Sequence, residues 1–77
     1  MNMMTNLSKL LSTPNFKIQD LMDILDSLNS TELLFALKQI EVAPIKHSSP
    51  ALLEFVLEVY KDQLNKEINA TSTSSVS

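Results

Sequence analysis

Glycine is missing from the whole chain, and no other feature restricts its folding as much. Glycine enters left-handed backbone without steric cost, so a chain without it has few means of making tight hairpins or left-handed helix caps. The same absence removes the backbone-lined phosphate loops of the GxGxxG and P-loop kind. Punctuation falls to three prolines and to Asn, Ser and Thr, which favour helix starts and open turns. Helices joined by short polar connectors are the architecture left open.

The spacing of apolar residues agrees with that choice. A first short segment, about 3–12, ends at Thr13-Pro14-Asn15, where Thr13 or Asn15 is a plausible N-cap for the next helix. From there Ile18, Leu21, Met22, Leu25 and Leu28 recur at helical spacing, opposite Lys17, Gln19, Asp20, Asp23, Asp26 and Ser27, which predicts an amphipathic helix over about 15–28. Asn29-Ser30-Thr31-Glu32 then reads as a stop and restart, with Asn29 and Glu32 spaced as a capping box. The helix it opens, about 31–42, is apolar over most of its circumference and is expected to be covered on more than one side. Pro44 ends it by excluding helical geometry at Ala43. Ser49 as N-cap and Pro50 at the first helical position open the longest helix, about 50–68, and NATSTSSVS beyond it is expected to be a disordered polar tail, 69–77.

The fold class expected is therefore all-α, a small bundle of three to four short helices forming a single domain over 1–68. At 77 residues such a core is small, and chains of this size often gain stability from disulfides, metals or a second subunit. Cysteine is absent, which removes disulfides and Cys-based zinc sites. The last helix has two adjacent stripes, one of Leu52, Phe55, Val56 and Val59, the other of Leu53, Leu57, Tyr60, Leu64 and Ile68. One stripe should pack within the chain and the other should meet a partner, since an uncovered row of this kind is an exposed apolar patch. Leu53, Phe55, Val56, Leu57, Val59, Tyr60 and Leu64 are the candidate residues of that seam, and a homodimer or other homo-oligomer is expected through it.

Charge and composition narrow the partner. The net charge is −3, with six basic residues, all lysine, which disfavours nucleic acid, where clustered Arg and Lys make the phosphate and base contacts. No apolar run approaches the ~20 residues of a membrane span. The start, MNMMTNLSKLL, lacks the pattern of a secretory signal, so a cytoplasmic location is expected, and the three Asn-x-Ser/Thr triplets are not expected to be modified.

Candidate chemistry is sparse. Pro44-Ile45-Lys46-His47-Ser48-Ser49-Pro50 holds the chain's one histidine beside two serines, but sequence neighbours in a loop rarely aim side chains at one another, as a nucleophile and its base must. The stretch is read as a hinge, with His47 worth no more than ~0.5 kcal/mol to stability and Ser49, as a cap, ~0.5 to 2 kcal/mol. Asp20, Asp23 and Asp26 fan over about a third of a helix surface, so they are read as a solvated acidic face able to steer a basic partner, not as metal ligands. Met1, Met3, Met4 and Met22 are read as core filling or frayed terminus, and Phe16, Phe35, Phe55 and Tyr60 as core. No catalytic residue, metal or cofactor is expected.

Lys46-His47-Ser48-Ser49-Pro50-Ala51-Leu52-Leu53, following Ala36-Leu37-Lys38, resembles the turn and second-helix start of type III secretion needle subunits. Those are small acidic helical hairpins with a Pro-Ser-Asp-Pro-type turn followed by Ala-Leu-Leu. The resemblance covers roughly a quarter of the chain and implies a structural subunit of a helical assembly. The residues themselves point first to a non-enzymatic interaction protein, a regulator, inhibitor or chaperone-like adaptor that binds a partner helix.

Overall fold

The computed structural model describes residues 3–76, with side chains from 4 to 69. Its elements are four α-helices, α1 (Met3–Leu11), α2 (Ile18–Asp26), α3 (Ser30–Val42) and α4 (Pro50–Val76), and no strand occurs among the described residues. Among those residues no helix is long and apolar enough to cross a membrane.

Local chemistry accounts for most boundaries. The capping box at α3 is formed in both directions: Glu32 N–H donates to Asn29 Oδ1 at 2.8 Å, and Asn29 N–H donates to Glu32 Oε1 at 3.1 Å. Two amides that a helix start leaves without partners are thereby satisfied, a contribution of ~1 kcal/mol. Ala43 is extended, with φ −74° and ψ 140°, as its place before Pro44 requires. At the start of α4 the Ser49 carbonyl accepts the Leu53 amide at 3.1 Å.

Two boundaries differ from the sequence reading. Helix α2 begins at Ile18, after Lys17, and neither Thr13 nor Asn15 caps it. Thr13 instead bonds back to the Lys9 carbonyl at 3.0 Å, closing α1. Asn15 has a φ of 55°, the left-handed conformation that Asn tolerates better than most residues with a β-carbon. Helix α4 runs to Val76, past the expected end at 68 and into the segment expected to be a disordered tail. Neither proline nor glycine follows Pro50, so nothing in the chain forces the helix to stop.

The core is one cluster fed by all four helices. Leu7 of α1, Leu21 and Leu25 of α2, Leu33, Ala36, Leu37 and Ile40 of α3, and Leu53, Val56, Tyr60 and Leu64 of α4 are buried, with Phe16 from the α1–α2 connector. Met4 and Met22 pack against it, as their core reading requires; Met1 and the side chain of Met3 lie outside the described residues. Helix α3 departs from expectation: it is covered on one face only, and Leu34, Phe35 and Val42 are exposed. Its packing partners are α1 and α4, which sit on the Leu33–Ile40 face, and among the described residues no element lies across the other.

The needle-subunit resemblance implies a bare hairpin. Here α3 and α4 do turn back on one another through the 43–49 connector, but α1 packs on α2 and α3, and α2 packs on α4. The long axis of 46 Å follows from α4, whose 27 residues span ~40 Å at 1.5 Å per residue.

Candidate functional site

The predicted seam of α4 is split by the fold. Leu53, Val56, Tyr60 and Leu64, at i, i+3, i+7 and i+11, face inward and belong to the chain's own core. That is a correction to the seam as read from sequence, and its cause is that α2 and α3 together cover this face of α4. Leu57 is partly buried against the same core, beside Leu37, Ile40 and Ile45 of the α3 side. Phe55 and Val59 remain on the surface with Leu52, at 64, 47 and 52% exposure. Phe35 and Phe55, both expected in the core, are the two aromatic rings left in solvent.

The position of this row relative to the other helices follows from the contacts of α4. The α3 flank of α4 carries Glu54, Leu57, Glu58, Lys61, Leu64 and Asn65, which line clefts shared with α3. Tyr60, further round, reaches α2: its hydroxyl donates to Asp26 Oδ1 at 2.6 Å and lies 3.4 Å from the Met22 carbonyl oxygen. At 100° per residue, Leu52, Phe55 and Val59 then lie on the flank of α4 away from α3, beyond Val56, on the side where α2 packs.

Helix α2 presents carboxylates there. Asp20, Asp23 and Asp26 are all exposed. Gln19 Nε2 donates to Asp23 Oδ1 at 2.9 Å and Tyr60 holds Asp26. The two ion pairs among the described residues are Lys61–Glu58 at 3.7 Å and Lys66–Asp62 at 3.2 Å, so no lysine neutralises the α2 row. Nor do the three aspartates converge into a ligand set; no group of three His, Cys, Asp or Glu able to hold a metal exists among the described residues. The effect of the row is felt at Tyr60. Burial first, then the hydrogen bond to Asp26, then the negative charges of Asp26 and Asp23, push its phenol from the ordinary value of 10 up to about 12.

The connector around His47 is a clasp, and sequence reasoning missed it. His47 Nε2 lies 2.7 Å from the Phe16 carbonyl oxygen, and Ser49 N–H donates to His47 Nδ1 at 2.9 Å. Because Nδ1 accepts, the ring proton belongs on Nε2, which donates to Phe16. The imidazole also meets the Phe16 ring edge to face, centroids 4.9 Å apart. Alongside, Ser48 N–H donates to Asn15 Oδ1 at 2.7 Å and Asn15 N–H to the Lys46 carbonyl at 3.2 Å. The left-handed turn at Asn15 is what brings its amide and side chain to the second loop together. His47 is therefore a tie between the two connectors, and both its ring nitrogens are occupied by backbone groups. Phe16 lies 31 positions from His47 and Asn15 33 from Ser48, and no local pattern announces these pairs.

Comparison with known protein families, with curated proteins and with solved structures gives no match.

Proposed function

We propose that the chain is a non-enzymatic, cytoplasmic interaction module, a small regulator or adaptor that docks a helix of another protein against the outer row of α4. The observation that carries this reading is the row itself. Leu52, Phe55 and Val59 are about half exposed or more on a helix whose other row, Leu53, Val56, Tyr60 and Leu64, is buried, and they are spaced at i, i+3 and i+7, the spacing by which an amphipathic helix engages a partner. Fully burying an exposed side chain of this kind is worth ~1.5 to 3 kcal/mol; with about half of each already covered, the three together offer a few kcal/mol toward a partner's affinity, less the ordering costs. Titratable chemistry elsewhere is committed to structure: the imidazole of His47 is held by backbone groups and the Tyr60 hydroxyl by Asp26.

A display selection of helical peptides on the folded chain, counter-selected against a Phe55→Ser variant, tests the reading. Binders whose affinity depends on Phe55 and Val59 support it. If the enriched peptides are indifferent to both residues, the row is not a docking surface.

A further inference from the structure

We propose that the partner helix is basic along one flank, with lysine or arginine aligned on the Asp20–Asp23–Asp26 row while its apolar stripe covers Leu52, Phe55 and Val59. This inference rests on the docking function proposed for α4 and assigns the charge of its occupant. Two surfaces of different chemistry run side by side. Leu52 to Val59 spans ~10 Å along α4 and Asp20 to Asp26 ~9 Å along α2, so one partner helix of about three turns reaches both. The two rows also have the same sense. Phe16 is tied to His47 just before α4, Asp26 meets Tyr60 at its middle, and the Ser30 hydroxyl meets Glu67 further on, so α2 runs parallel to α4.

No ion pair among the described residues reaches these aspartates. Lys61 and Lys66 are paired with Glu58 and Asp62 of their own helix, and the net charge of the whole is −3. The same fact argues against a second copy as the occupant. A two-fold contact across this groove sets each patch against itself, which brings two aspartate rows to one seam, and like charges so placed disfavour association. A cationic flank removes the repulsion and adds steering at low salt.

The test uses two synthetic amphipathic peptides of about four turns with identical leucine stripes, one carrying lysine on the flank and the other glutamate. Each is titrated into the full chain by fluorescence anisotropy at low and at physiological salt. Wild type, Phe55→Ser and Asp20→Asn/Asp23→Asn are compared, with circular dichroism confirming that each is folded. We expect the lysine peptide to bind tighter by up to about fivefold for each exposed charge contact made, the preference to shrink with salt and with the asparagine pair, and Phe55→Ser to weaken both peptides. If both peptides bind equally and still need Phe55, the charge assignment is wrong while the docking surface stands. If neither binds, both fail. A wild-type chain that sediments as a dimer, and as a monomer when Phe55 is serine, makes the occupant a second copy and overturns the inference in a third way.

Discussion

Raising the pH should weaken this fold through a single phenol. Tyr60 is buried to 5% exposure, and its pKa is held up to about 12 from an ordinary 10 by burial, by the bond to Asp26, and by the charges of Asp26 and Asp23. The fold favours the neutral phenol, so the stability it contributes is fully present below pH 10 and is lost as the pH climbs toward 12. A difference of that size corresponds to roughly 3 kcal/mol. It is a ceiling, since Asp26 is exposed and water shares its carboxylate. Against a domain of this size, whose whole stability is on the order of 5 kcal/mol, the loss is large. Comparison with Tyr60→Phe cancels every contribution the two proteins share. Near neutral pH the variant should be less stable by about 1–2 kcal/mol, the net value of the lost hydrogen bond. By about pH 12 its disadvantage should vanish or reverse, because phenylalanine has no charge to bury. Urea melts of both proteins across this range measure the difference. With one tyrosine and no tryptophan in the chain, the ultraviolet absorbance of the phenolate reports the same group directly. If phenolate forms near pH 10 in the folded protein, or if the variant loses stability in parallel with the wild type, the account of Tyr60 is wrong.

Other substitutions probe the remaining features. His47→Ala strips partners from the Phe16 carbonyl and the Ser49 amide and should cost about 1–2 kcal/mol, more than an ordinary loop change; a urea midpoint equal to wild type would show that the clasp contributes nothing. Asn15→Ala puts a side chain without an oxygen into left-handed backbone and removes the acceptor for Ser48, so about 2 kcal/mol should be lost in the same melts. Phe55→Ser, by contrast, removes a ring that is mostly in water and should change stability by no more than ~0.5 kcal/mol; a large loss would place Phe55 in a core contact.

What could be read from the sequence was what short-range geometry decides. Asn29 and Glu32 stand three apart, and the capping box between them is as expected; Pro44 and Pro50 mark an end and a start for the same local reason. The end of α4 lies beyond what composition suggests: serine and threonine argue for a polar tail, but no proline or glycine follows Pro50 to force a stop. Helical phase shows two apolar stripes on α4, but the row that points inward takes Val56 from one and Leu53, Tyr60 and Leu64 from the other. That depends on α2 and α3 arriving from one side, a tertiary fact. Asn15 shows the limit most plainly. Read alone it is a cap, and only the distant Ser48 amide explains why it turns left-handed and serves no helix of its own.

The clasp also bears on how long the folded molecule lasts. It joins the α1–α2 connector to the α3–α4 connector through bonds that span 31 and 33 positions, so it cannot form until both have been brought together by the packing of the helices they link. Contacts that form last are absent from the folding barrier, and their loss speeds escape from the native state while leaving the rate of entry nearly unchanged. Cutting the tie at His47 should therefore shorten the native lifetime by roughly fivefold to thirtyfold for ~1–2 kcal/mol lost. In a chain without glycine or cysteine, these few bonds between two loops should then set how often the bundle opens.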